Sequence, residues 1–139
     1  MKIVLTLLKR YILTLITLIA ILYLTFCKPM GLGKTSVADG MDKLAHFVMY
    51  FTLCTVFWYE SFKITLKLKM PLMTVLAVIV PIIFSGAMEY LQYLLTSYRT
   101  GDFADFVFNT IGVLAALLFS LYVTKPCVAH LKRKKSRQM

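Results

Sequence analysis

Residues 71–95 read PLMTVLAVIVPIIFSGAMEYLQYLL and contain a single charged residue, Glu89. A straight helix of this length would extend about 37 Å at 1.5 Å per residue. The hydrocarbon core of a bilayer is about 30 Å thick, and an apolar run of roughly 18 or more residues predicts a transmembrane helix. The stretch therefore indicates an integral membrane protein.

Three further apolar blocks lie on either side of this stretch in the sequence. Together with it they give four predicted spans, residues 4–27, 44–62, 71–95 and 103–124. Residues 28–40 contain one proline and three glycines, a composition that predicts a loop. We therefore predict an all-α fold, a polytopic membrane protein built as a four-transmembrane-helix bundle, with residues 1–139 forming a single domain.

The composition is typical of a membrane protein. Hydrophobic residues make up 60% of the chain and charged residues only 16%, whereas an average soluble domain has about 25% charged residues. A chain of this kind has too few polar side chains to cover a water-exposed surface.

The basic residues are divided unequally between the two sides of the predicted bundle. With four spans, both termini and the middle loop share one side, which carries 12 of the 16 Lys and Arg residues and one acid, Glu60. Basic loops mark the cytoplasmic face, so we predict a multi-pass protein of the cell membrane with cytoplasmic N- and C-termini. The net charge of +10 then belongs to the cytoplasmic rim, which argues against a nucleic-acid partner and leaves membrane lipids as the expected one.

Polar side chains interrupt the spans at helical spacing near their predicted outer ends. An ionisable group in hydrocarbon is costly, so these side chains should face other helices and have partners. They are Asp42, Lys43, His46 and Tyr50 at the start of the second span, Glu89 and Gln92 at the end of the third, and Arg99, Asp102, Asp105 and Asn109 before and within the fourth. We predict that they converge in a ligand-binding pocket at the depth of the outer headgroups.

The order and spacing of these residues resemble the VanZ-like family of bacterial membrane proteins. The pattern is Asp-Lys-x-x-His-Phe-x-x-Tyr from Asp42, then Gly-x-x-Glu-x-x-Gln from Gly86, then Arg-x-x-Asp-x-x-Asp-x-x-x-Asn-x-x-Gly from Arg99. The resemblance covers residues 11–124. The family takes its name from a protein associated with teicoplanin resistance, so the resemblance implies a role at the surface of the cell envelope.

Two functions fit these residues, and the sequence leaves open whether the chain is an enzyme. In the first, the pocket recognises an envelope lipid, a lipid-linked cell-wall precursor or a glycopeptide. In the second, His46 and Glu89 act as catalytic acid and base on a lipid-linked phosphate or ester. In both, Lys43 and Arg99 suit an anionic ligand, because arginine binds phosphate oxygens bidentately.

We expect neither a cofactor nor a resident metal ion. Asp42, His46, Glu89 and Asp105 include ligand atoms for a divalent cation, but one histidine among carboxylates is a weak signature beside a His-Glu-x-x-His spacing. Asp102 and Asp105 also have a structural interpretation, because carboxylates satisfy the free N–H groups of a helix start.

Overall fold

A computed structural model of the chain describes residues 8–26, 36–64, 69–95 and 103–138. The described residues are helical and include no strand, which confirms the all-α fold. The elements are α1 (Ile12–Phe26), α2 (Ser36–Lys63), α3 (Met70–Leu95), α4 (Phe103–Phe119), a π-helical turn (Ser120–Thr124) and α5 (Lys125–Arg137).

The helices extend beyond the apolar blocks at two places. The loop prediction for residues 28–40 is wrong for residues 36–40, which form the first turn of α2, and residues 28–35 lie outside the described residues. At the other end, α4 continues through the π-helical turn into α5, so that Phe103–Arg137 forms one helical run. A hydropathy-based prediction ends a span where polar residues begin. The helix itself continues for as long as its backbone hydrogen bonds continue.

Two of the described helices, Met70–Leu95 and Phe103–Arg137, are long and apolar enough to cross a membrane. Of the other two predicted spans, α1 has 15 residues, fewer than the roughly 20 that a span requires. The second, α2, is longer but carries charged residues at both ends, including Asp42, Lys43 and Glu60. Four spans therefore stay a prediction.

Large apolar side chains are exposed along the outer faces of the helices. Ile19, Ile83 and Leu118 are 58%, 66% and 57% exposed, respectively. An apolar surface of this extent needs contact with lipid or with another protein. Several polar residues, among them His46, Gln92 and Asn109, are in contrast buried between the helices.

The second helix, α2, lies at the centre of the bundle and packs most extensively against α4. Tyr50 and Cys54 of α2 form a buried cluster with Val113 and Ala116 of α4. Nearer the C-terminal end of α2, the fully buried Trp58 packs against α3. These contacts hold α2 between its neighbours along most of its length.

The first and second helices are also joined by a buried carboxylate, that of Glu60. It accepts hydrogen bonds from the backbone N–H groups of Leu13 and Thr14, both at 3.0 Å, and from the Thr14 hydroxyl at 2.6 Å. The first N–H groups of a helix have no partner within that helix. Glu60, which is 5% exposed, therefore caps the start of α1 from a different helix.

A basic side chain closes the same end of the bundle. Lys132 of α5 donates a hydrogen bond of 2.8 Å to the backbone oxygen of Phe62, in the last turn of α2. Positive charge near the C-terminus of a helix is favourable, because the free carbonyl groups there carry partial negative charge. Lys132 thereby connects the basic helix α5 to the central helix.

The closest approach of α2 and α4 occurs at Gly112. A Cβ atom at this position would lie 2.6 Å from the backbone oxygen of Phe47 and 3.1 Å from the backbone nitrogen of Phe51. Both are backbone atoms of α2, so the contact leaves no room for a side chain. Small residues allow this kind of close helix packing in membranes.

We predict that Gly112→Ala destabilises the protein by about 1–3 kcal/mol, the usual cost of overpacking. The added methyl group would push α4 away from α2. Thermal unfolding of the purified protein in detergent measures the effect.

The matched control is Gly40→Ala in α2, where an added Cβ meets no atom within 4 Å. Alanine there should be neutral or stabilising by up to about 1 kcal/mol, because it is the better helix former. Equal effects of the two substitutions would contradict the close approach at Gly112.

Candidate functional site

Three helices meet at a cluster of buried polar side chains, which we call the polar cluster. Its members are His46 of α2, Glu89 of α3, and Asp105 and Asn109 of α4. Their exposed fractions are 1%, 9%, 5% and 0%, respectively. His46 and Asp105 lie towards the starts of their helices and Glu89 lies towards the end of α3, so the cluster is at one end of the bundle.

Asn109 holds the polar cluster together. Its Nδ2 donates a hydrogen bond to Glu89 Oε1 at 3.2 Å, and its Oδ1 lies 3.2 Å from His46 Nδ1. Because the amide nitrogen faces the carboxylate, the amide oxygen faces the imidazole and must accept its proton. His46 Nδ1 therefore donates to Asn109 Oδ1.

The two ring nitrogens of His46 face different carboxylates. Nδ1 lies 3.5 Å from Glu89 Oε1, and Nε2 lies 3.7 Å from Asp105 Oδ2. The ring is thus fixed between α3 and α4. The contacts at Nδ1 satisfy one side of the buried ring, whereas the 3.7 Å between Nε2 and Asp105 Oδ2 is longer than a hydrogen bond.

Asp42 lies one helical turn before His46 on α2 and is half-buried. One ligand atom each from Asp42, His46 and Asp105 can be chosen so that all three lie within 4.8 Å of one another. Within the part of the chain that the structure describes, these residues form a group that could hold a metal ion. Glu89 contacts the other ring nitrogen of His46 and is not part of this group.

Other residues predicted for the pocket have different surroundings. Gln92 is 1% exposed, and its Nε2 donates a hydrogen bond of 2.9 Å to the backbone oxygen of Thr25, which joins α3 to the end of α1. Tyr50 is 2% exposed and belongs to the apolar core between α2 and α4. Lys43 is half-buried. Arg99 and Asp102 lie outside the described residues, so their roles stay predictions.

Glu60 is a buried polar residue whose importance the sequence did not indicate. Hydropathy places it at the cytoplasmic end of a span, where an exposed acid is common. Its hydrogen-bond partners, Leu13 and Thr14, precede it by more than 45 residues. No local spacing links these positions, so no sequence signal was available to find the contact.

A comparison with protein families gives a match over most of the chain. The family model described as VanZ/LLP1 matches residues 7–124, most of the chain. This range contains the polar cluster and all four predicted spans except the first residues of the first. Neither curated proteins nor solved structures gave a match.

We predict that Asn109→Leu destabilises the protein, because it leaves His46 Nδ1 and Glu89 Oε1 without their shared amide. Loss of a partner for a buried polar group costs about 1–3 kcal/mol. The change is measured as a lower temperature of thermal unfolding in detergent.

Thr110→Val is the matched control on the next residue. Among the described residues, the Thr110 hydroxyl bonds to the backbone of its own helix, at Phe106 O, so its loss should change stability by no more than about 0.5 kcal/mol. A stable Asn109→Leu variant would show that the amide does not hold the polar cluster together.

Proposed function

The chain belongs to the VanZ/LLP1 family, and we propose that it is a four-span membrane protein acting at the outer face of the bacterial cell envelope. In this proposal the polar cluster forms the floor of a site that recognises an envelope lipid, a lipid-linked cell-wall precursor or a glycopeptide. Recognition there lowers the susceptibility of the cell to teicoplanin-type glycopeptides.

The observation that carries this proposal is the burial of His46, Glu89 and Asp105 together in an apolar helical bundle. Ionisable groups inside a membrane are costly, and the default interpretation of such a group is a functional site. A purely structural cluster has little need of them, because an interhelical hydrogen bond in a membrane contributes only about 0.6 kcal/mol on average.

The sidedness of the bundle supports an outward-facing site. The polar cluster and the basic helix α5 contact different halves of α2, since Lys132 bonds to the C-terminal turn of α2 and His46 lies in its N-terminal half. Lys63 follows His46 by 17 residues, which corresponds to about 25 Å along a helix. If the basic end is cytoplasmic, the polar cluster lies near the outer surface.

The cations near the site support an anionic ligand. Lys43 precedes His46 by one turn of α2, and its side chain is half-buried. Arg99 is the second cation predicted for this end from the sequence. An ammonium and a guanidinium group together suit the phosphate of a lipid headgroup or of a lipid-linked precursor.

One observation favours the enzymatic alternative. His46 Nδ1 and Glu89 Oε1 lie 3.5 Å apart, somewhat beyond hydrogen-bond distance, and catalytic contacts of this kind often shorten once the substrate binds. The substrate would then be a lipid-linked phosphate or ester, with His46 and Glu89 as acid and base.

We predict that cells producing the protein are less susceptible to teicoplanin than matched cells without it. Minimal inhibitory concentrations for a panel that includes teicoplanin and vancomycin measure this. A flat panel would contradict the resistance part of the proposal.

Three variants in the same assay separate binding from catalysis. Glu89→Gln preserves size and much of the hydrogen bonding but removes proton transfer, whereas Arg99→Ala removes a cation. For recognition, Arg99→Ala should abolish the effect and Glu89→Gln should retain it; the reverse result would favour the enzyme. Lys69→Ala, an exposed cation at the other end of the bundle, is the control and should behave as the unaltered protein.

A further inference from the structure

We propose that Asp42, His46 and Asp105 form a binding site for one divalent cation of the Zn²⁺ or Mn²⁺ type. A nitrogen of His46 and one oxygen from each carboxylate can lie within 4.8 Å of one another. The sequence alone argued against a metal ion, because one histidine among acids is a weak pattern. The position of the imidazole beside two carboxylates favours one.

The contacts of Nδ1 with Asn109 and Glu89 leave Nε2 as the coordinating atom of His46. Nδ1 lies 3.2 Å from Asn109 Oδ1, and the tautomer that donates to this amide oxygen has its lone pair on Nε2. This nitrogen is buried and has no hydrogen-bond partner among the described residues. It is directed at Asp105, whose Oδ2 is 3.7 Å away.

That separation fits a cation better than a hydrogen bond. An N–H···O hydrogen bond spans about 2.7–3.2 Å between the heavy atoms, and 3.7 Å exceeds this. A zinc ion about 2.0–2.2 Å from a nitrogen and from an oxygen ligand bridges such a gap at a bent angle. A cation also removes the repulsion between the Nε2 lone pair and the facing carboxylate oxygen.

The surroundings of His46 are those of a metal-binding histidine. Such a residue almost always donates its other ring N–H to a carboxylate or carbonyl oxygen, which fixes both the tautomer and the ring orientation. Here Asn109 Oδ1 accepts that proton, and Glu89 Oε1 lies 3.5 Å from the same nitrogen. Asn109 and Glu89 would therefore position the ligand His46 without touching the ion.

The ligand set selects among the common cations. Imidazole suits zinc and other late transition metals, and carboxylates also suit manganese. Calcium prefers six to eight oxygen ligands, which this site does not offer. With three protein ligands, the ion would retain open coordination positions that face the proposed phosphate ligand. Contact with a phosphate rests on the proposed function, whereas cation binding does not.

The test uses the full-length protein, purified in detergent without a histidine tag and stripped of metal with a chelator. Zn²⁺ or Mn²⁺ alone is titrated by calorimetry, and bound metal is counted by mass spectrometry. We expect one ion per chain and, in Asp105→Asn, an affinity lower by at least about tenfold, since even outer-shell changes cost that much. Circular dichroism verifies that the variant is folded, and Asp42→Asn replaces it if it is not.

Cys127 and His130 are exposed on α5 and offer an unrelated place for zinc. The double variant Cys127→Ser/His130→Ala should therefore bind as the unaltered protein does. Binding that disappears in this double variant, that is unchanged in a folded Asp105→Asn or Asp42→Asn variant, or that is absent from the unaltered protein would overturn the proposal. Unchanged antibiotic susceptibility would not contradict the metal-site proposal, because no envelope ligand is present in the titration.

Discussion

The polar cluster depends on the absence of a side chain at Gly112. There the backbone of α4 contacts the backbone of α2, with Phe47 O only 2.6 Å from the place a Cβ would occupy. Asn109 lies one turn before Gly112, and His46 directly precedes Phe47. The close approach of the two backbones therefore sets the distance at which Asn109 receives the imidazole proton. Any residue larger than glycine would separate the two halves of the cluster.

Each end of α2 is fixed by a different kind of polar contact. At one end, His46 is held by two other helices through Asn109 and Glu89. At the other end, Glu60 caps α1 and Lys132 caps α2 itself. The first set joins ionisable groups that a structural account explains poorly, and the second satisfies helix termini. We therefore expect function at the His46 end of α2 and a structural role at the Lys132 end.

Much of the helical architecture could be predicted from apolar runs, because a long uncharged segment has few alternatives to a helix. The prediction for residues 71–95 matches α3 (Met70–Leu95) almost residue for residue. The first turn of α2 and the continuation into α5 were not predicted, because hydropathy detects apolar runs and not helical segments made of polar residues. Helical spacing also predicted that the second, third and fourth spans contribute polar side chains to one place, and the structure brings His46, Glu89, Asp105 and Asn109 together. Helical spacing could not reveal that Gln92 bonds to Thr25 or that Glu60 caps α1, since those partners are distant in sequence.

The proposed function requires a topology in which the His46 end of the bundle faces the outside of the cell. This topology is tested by labelling intact cells with a membrane-impermeant maleimide, using Met41→Cys in a chain that also carries Cys27→Ser and Cys127→Ser. Met41 is 57% exposed beside Asp42, and the remaining Cys54 is buried. The comparison chain carries Cys27→Ser alone and keeps the exposed Cys127. We expect the thiol introduced by Met41→Cys to react in intact cells and Cys127 to react only after lysis; the opposite pattern would place the polar cluster in the cytoplasm and contradict the account.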